Sequence, residues 1–211
     1  MTSTIRVMST SVGSAYSLRA EEYASLFGSM VTVHPVDREL VRNWASAIEG
    51  EVLDAGCGPG QWTKFLHDLG LSASGLDQVP EFIDRARSAY PEVQFQLGSI
   101  DGLQRRNDSL AGVLSWYSLI HYDPADIQRP LAEFNRTIRP GGALLIGFFD
   151  GETVEEFDHA VAKAYRWSVD ALTAELEAAG FEVLESHRRA SQGQRPHAAV
   201  LAQKLAICNL T

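Results

Sequence analysis

The apolar residues change their period along the chain. Tyr16, Ala20, Tyr23 and Phe27 recur at helical spacing, and after His34-Pro35 a second stripe runs through Val36, Leu40, Val41, Trp44 and Ile48. Two helices are therefore predicted first. From residue 52 onward, short β-type runs alternate with helical stripes, the pattern of βαβ units around a parallel sheet. Glu51-Val52-Leu53-Asp54 reads as a strand that enters a glycine loop. A helix follows, with Trp62, Phe65, Leu66 and Leu69 inward and Gly70 as its stop.

Ala73 to Asp77 gives a second strand, and Pro80 opens a helix carrying Phe82, Ile83 and Ala86. Val93 to Leu97 alternates as a third strand, and Gly112 to Trp116 forms a fourth. Leu131 to Ile138 reads as helix and Arg139-Pro140-Gly141-Gly142 as a tight turn. Ala143 to Phe149, apolar throughout, suits a strand covered on both faces. Ser168 can cap a helix that buries Leu172, Leu176 and Ala179 and stops at Gly180. Phe181 to His187 and His197 to Leu205 close the sheet, and their connection is too short for a crossover helix, so they should pair antiparallel. The expected fold is α/β, doubly wound: a mostly parallel seven-stranded sheet whose last strand is antiparallel, with two N-terminal helices over the site.

A length of 211 residues with 45% hydrophobic side chains suits one domain. Its expected parts are a helical cap over 1–50, a cofactor half over 51–149 and a substrate-side segment with the closing strands over 150–211. No apolar run approaches the roughly 20 residues that cross a bilayer. Met1 to Ser11 lacks the layout of a secretory signal, so a cytoplasmic protein without membrane contact is expected. The two cysteines are Cys57, inside the glycine loop, and Cys208, and neither a disulfide nor a metal cluster is expected of them. A net charge of -9 repels polyanions, which argues against nucleic acid as a partner.

The chemistry concentrates in Val52-Leu53-Asp54-Ala55-Gly56-Cys57-Gly58-Pro59-Gly60. A loop running from a strand into a helix aims backbone N–H groups and the positive helix end at a ligand, and glycine allows close approach. The dinucleotide fingerprint requires G-x-G-x-x-G, whereas here the third glycine comes one residue early, behind an acidic Asp54. Asp77 ends the second strand, where a carboxylate accepts the hydroxyls of an unphosphorylated ribose. Asp54 and Asp77 could also merely cap turns.

Glu51 to Thr63 resembles the first motif of the class I, Rossmann-like S-adenosylmethionine methyltransferases, and the element order from residue 16 to 205 is similar to theirs. Ser115 to His121 and Ala164-Tyr165-Arg166-Trp167 look like a small bacterial subgroup of that family. The resemblance implies S-adenosylmethionine as cofactor, with Gly56, Cys57 and Gly58 around its methionine part, Asp77 on the ribose and Gln78 beside the adenine. Asp54 would order the loop or reach the amino group through water. The family's usual aspartate after the third-strand glycine is replaced in Gly98-Ser99-Ile100-Asp101. Either Ser99 and the Ile100 N–H take over its contact to adenine, the preferred reading, or Asp101 reaches in. Tyr16 and Tyr23 match a helix that closes over the methionine carboxylate in similar enzymes, or form a plain core stripe.

Beyond the fourth strand, Trp116 and Tyr117 should stand beside the sulfonium, where aromatic faces suit a cation. The Asn/Asp-Pro-Pro-aromatic tract of base and glutamine methylators is absent, as are strand-end carboxylates for a magnesium ion. His121, aided by Tyr117, is the candidate base, or else a structural anchor for its loop. His159, Tyr165 and His197 are candidates for the acceptor pocket. The leading expectation is methylation of a small molecule, set against a protein of the same fold that binds the cofactor without transferring its methyl. A nicotinamide-dependent reductase is disfavoured by the glycine spacing and by the lack of a Tyr-x-x-x-Lys pair.

Overall fold

The computed structural model describes residues 12–190 and 193–206, apart from the side chain of Phe27. The expectations for residues 1–11, the Phe27 side chain and Cys208 lie outside it. A helical segment at 12–17 passes through a break at 18–19 into α1 (Ala20–Phe27). His34 then opens α2 (Pro35–Ser46): its ring accepts the Val36 N–H at 3.2 Å, and Pro35 needs no partner in the first turn.

The alternating units follow as β1 (Glu51–Ala55), α3 (Gln61–Asp68), β2 (Ser72–Asp77), α4 (Pro80–Ala89), β3 (Gln94–Leu97), β4 (Leu110–Trp116), α5 (Gln128–Thr137) and β5 (Ile138–Phe149). A short hairpin, β6 (Glu155–Phe157) and β7 (Ala164–Arg166), precedes α6 (Val169–Ala178), β8 (Phe181–Arg189) and β9 (His197–Lys204). The main sheet has the order β3-β2-β1-β4-β5-β9-β8. β9 runs antiparallel to both β5 and β8, while the pairings among β1 to β5 are parallel. The mostly parallel seven-stranded sheet with an antiparallel last strand is thus as the periodicity implies.

Alternation along each strand divides the core between the two faces. Leu53, Val113 and Leu144 pack with Leu131 and Phe134 of α5 and Leu172 and Leu176 of α6. Their neighbours Val52, Leu114 and Leu145 pack with Val41, Trp44 and Ala45 of α2 and Trp62 and Leu66 of α3. α2 therefore covers the sheet, and of the N-terminal helices it is the 12–27 segment that lies over the site, through Val12, Tyr16 and Tyr23.

The structure departs from the pattern in two places. Arg139 to Gly142 is no chain-reversing turn. Leu110 pairs with Ile138 and Gly112 with Ala143, so these four residues bulge out inside β5. Gly141, at φ 75°, supplies the left-handed step that a bulge uses. The β6–β7 hairpin also lies outside that pattern, because three-residue strands are too short to show a period. It is held by the Tyr165 N–H donating to the Ile120 carbonyl at 2.7 Å, which sets it against the loop after β4.

Candidate functional site

β1 lies inside the sheet between β2 and β4, where the strand order reverses, so the loops leaving β1 and β4 part and open a crevice. A cavity of about 520 Å³ lies there, lined from the glycine loop, β2, β3, the post-β4 loop, the N-terminal helices and the segment before β7. Gly56 has φ 81°, and a Cβ on it would overlap the Ser118 side chain. Gly58 has φ 52°, lines the cavity, and has no protein atom within 4 Å of where its Cβ would stand. The loop therefore leaves a space that any larger residue would fill.

Its N–H groups are not free, contrary to expectation. Those of Gly56 and Cys57 both donate to the Leu76 carbonyl, at 2.8 and 3.0 Å, and that of Gly58 donates to Asp77 Oδ2 at 2.8 Å. The loop offers shape, and Asp77 the polar contact. The Asp77 carboxylate faces the cavity and also accepts the Val79 N–H at 2.9 Å. Burial pushes its pKa up, against the pull of these N–H groups. The Gln78 N–H also acts on this carboxylate, and with about four lone-pair directions acceptor capacity remains for a ligand hydroxyl.

Two residues expected at the cofactor sit behind the loop instead. Cys57 turns into a small core with Ile83, Ala86, Val93 and Phe95 and does not line the cavity. Asp54, 1% exposed, accepts the Thr63 hydroxyl at 2.7 Å, tying β1 to α3, which is the loop-ordering role. Gln78, Ser99 and Ile100 do line the cavity. Asp101 lines it too, but its two oxygens accept from the Tyr122 hydroxyl and from Arg129, each at 2.7 Å. That carboxylate is therefore engaged within the protein, as is the Ser99 hydroxyl oxygen, which accepts the Asp101 N–H at 3.2 Å.

Beyond β4, Trp116, Tyr117 and His121 line the opposite wall. Tyr117 has φ 60°, unusual for a bulky residue, and its hydroxyl bonds His197 Nδ1. His121 links two segments: its Nδ1 lies 2.6 Å from the Lys163 carbonyl and its Nε2 lies 2.8 Å from the Tyr16 hydroxyl. A carbonyl only accepts, so Nδ1 carries the proton and Nε2 is the basic nitrogen, receiving the Tyr16 O–H. Burial lowers the His121 pKa, outweighing the Lys163 carbonyl, which favours the neutral ring. Tyr165 lines the cavity as expected, whereas His159 and His197 stand one layer back, against His121 and Tyr117 respectively. Among the described residues no cluster of three or more metal-ligating side chains occurs.

Residues 52–142 match the family profile described as "Methyltransferase domain". That stretch carries the core of a methyltransferase domain, and the chain is similar to S-adenosylmethionine-dependent methyltransferases. A relative in that family, an uncharacterized methyltransferase of Mycobacterium bovis, is 36% identical over 93 residues, 44% of this chain and 37% of that protein. The malonyl-[acyl-carrier protein] O-methyltransferase of Serratia marcescens is 27% identical over 149 residues, 71% of this chain and 56% of that one. The chain thus spans between about a third and just over half of the length of these relatives. The Burkholderia thailandensis 1,6-didemethyltoxoflavin-N1-methyltransferase, solved with 1,6-didemethyltoxoflavin and S-adenosylhomocysteine, shares the fold. Its TM-score is 0.68 at 22% identity, covering 92% of this chain and 89% of that one.

Several lining residues carry no sequence signal. Ser118, Tyr122, Arg129 and Lys163 reach the cavity only through the packing of the post-β4 loop, α5 and the hairpin. Asp54 gives a test of the loop's electrostatics. Burial and the nearby Asp77 push its pKa up to about 7, against the Thr63 hydrogen bond. Its folded-state pKa thus lies above the unfolded value, so its contribution to stability is full below about pH 4 and is lost as pH rises through 7. Between pH 4 and 7.5 the wild type should lose up to about 4 kcal/mol of unfolding free energy relative to Asp54→Asn. Urea unfolding of both proteins across that range checks it, and a pH-independent difference would contradict a raised Asp54 pKa.

Proposed function

We propose that this chain transfers the methyl group of S-adenosylmethionine to an oxygen, nitrogen or carbon atom of a small-molecule acceptor. The observation that carries the reading is that one cavity joins the Asp77 and glycine-loop wall to the Tyr16–His121 pair. Asp77 accepts the ribose hydroxyls, Gln78, Ser99 and Ile100 border the adenine, and the space above Gly56 and Gly58 takes the methionine chain. Tyr16 and Tyr23 stack edge-on at 5.3 Å and against Phe82, forming a cover over this half. The cofactor supplies an electrophilic methyl carbon on a positively charged sulfur. The faces of Trp116 and Tyr117 suit that cation, and their placement positions an acceptor for in-line attack.

The acceptor's proton leaves by way of the two bonded side chains. It passes to Tyr16 Oη as the Tyr16 proton moves to His121 Nε2, and the Lys163 carbonyl holds the imidazolium through Nδ1–H. A small acceptor is favoured because the cover on this side is only the β6–β7 hairpin and its flanks. The 1,6-didemethyltoxoflavin named for the Burkholderia protein is a small molecule, in keeping with this, whereas the malonyl group named for the Serratia relative is borne on a carrier protein.

Calorimetric titration with S-adenosylhomocysteine, followed by methyl release over an acceptor library, is the test. Micromolar binding is expected, and no binding at about 1 mM would refute the reading. His121→Ala should then lower kcat by about 100-fold with the same S-adenosylhomocysteine affinity. Unchanged turnover would leave His121 as an anchor for the loop.

A further inference from the structure

Two non-glycine residues among those described have a left-handed backbone, Asp108 at φ 55° and Tyr117 at φ 60°. An aspartate takes that conformation readily, whereas a bulky tyrosine keeps it only where its surroundings over-determine it. Several contacts do so here. The Tyr117 N–H donates to the Gly147 carbonyl at 2.9 Å, its ring centroid lies 5.0 Å from that of Phe149, and its hydroxyl bonds His197 Nδ1. The preceding Trp116 lies against Gly147, where a Cβ would come within 2.8 Å of the indole.

His197 is itself firmly placed. At the start of β9 it stands directly across from Phe149 of β5 and from Arg189 of β8, and side chains paired in this way share a face of the sheet. Its ring lies 5.4 Å from that of Phe149, and Arg189 is fixed by two hydrogen bonds to Asp37 of α2, at 3.1 and 2.7 Å. Burial and Arg189, with His34 behind them, lower the His197 pKa against the pull of Asp37, which favours a neutral imidazole. His197 does not line the cavity, so it acts on a ligand there through Tyr117, which does. Tyr117 stands in that wall with its neighbours Trp116 and Ser118, and the Ser118 side chain abuts Gly56 of the glycine loop. This is the side of the cavity that the methyl-transfer reading gives to the methionine sulfur.

Building on that reading, we propose that His197 is a positioning residue for methyl transfer: its bond to the Tyr117 hydroxyl holds the Tyr117 ring toward the sulfonium of S-adenosylmethionine. The donor is cationic at sulfur, whereas S-adenosylhomocysteine is a neutral thioether. An aromatic face attracts the first by its charge and has no such hold on the second. The protein's preference for donor over product therefore depends in part on Tyr117, and through it on His197.

Calorimetry at constant pH gives the affinities for S-adenosylmethionine and S-adenosylhomocysteine, and their ratio is the readout. His197→Ala should lower that ratio by about threefold or more, with S-adenosylhomocysteine affinity within about twofold of wild type as the report that the variant is folded. Tyr117→Phe keeps the ring and loses only the bond, so it should lower the ratio equally, and the double variant should go no further. His197→Asn, whose side-chain amide puts a polar atom near the place of Nδ1, should restore most of the ratio, which a general loosening of β9 would not. If His197→Ala does not fold, Tyr117→Phe and His197→Asn decide the matter. An unchanged ratio in Tyr117→Phe or His197→Ala, a double variant whose loss is the product of the single losses, or a His197→Asn ratio no better than that of His197→Ala would each overturn the proposal. A wild type that binds neither compound at about 1 mM refutes the methyl-transfer reading and this proposal with it, whereas binding of both with an unmoved ratio overturns the proposal alone.

Discussion

Gly56→Ala is expected to destabilise the protein by about 3–5 kcal/mol, the largest stability loss from adding a single methyl group at this site. Two costs combine. A non-glycine residue at φ 81° carries about 1–3 kcal/mol of backbone strain, and the new Cβ overlaps the Ser118 side chain, which sits where the post-β4 loop crosses the glycine loop. Ser118 is itself tied to the end of β4 by a 2.7 Å bond between its hydroxyl and that of Ser115, so it does not yield freely. Thermal unfolding should show a midpoint lower by about 10 °C or more for a chain of this size. Adding Ser118→Gly to Gly56→Ala should restore the part due to overlap and leave the part due to strain. A Gly56→Ala protein within about 1 kcal/mol of wild type would mean that the two loops do not meet as described.

The second large effect concerns ligand affinity. Asp77→Ala should weaken S-adenosylhomocysteine binding by about 100-fold or more, because hydrogen bonding from the ribose to a charged acceptor is lost, at about 1.5–3 kcal/mol for each bond. The variant should stay folded, since the Gly58 N–H left behind is only part-buried at the cavity, and leaving the buried Val79 N–H unpaired costs about 1–3 kcal/mol. Asp77→Glu keeps the charge but not the reach, and should recover only part of the affinity. Calorimetry at constant pH separates the three proteins. Affinity in Asp77→Ala within about threefold of wild type would exclude this carboxylate as the ribose acceptor.

These expectations differ in how far they could be reached without coordinates. A run of apolar residues is a local property, and so are the punctuation of glycine and proline and the period of a helical stripe. From these alone come the order of strands and helices, the short β8–β9 connection that forces antiparallel pairing, and the loop at 56–60 with Asp77 downstream. What failed locally did so for physical reasons. Arg139 to Gly142 has turn composition, yet its neighbours Ile138 and Ala143 both find partners on β4, and the cooperative pairing of a buried strand absorbs the glycines as a bulge. The loop N–H groups looked available because a sequence cannot show that the Leu76 carbonyl and Asp77 lie beneath them.

By itself, then, the sequence determined the fold class, the glycine loop and the carboxylate that faces it, because each depends on residues joined by short stretches of chain. Only the tertiary structure decided which side chains share the cavity. Asp54 and Cys57 went into the core behind the loop, and Asp101 was taken by Tyr122 and Arg129. Tyr16 met His121 across 105 positions of sequence, and Tyr117 met His197 across 80. Contacts of that separation are set by how two loops and a hairpin close over the sheet, and no periodicity or spacing in the chain encodes them.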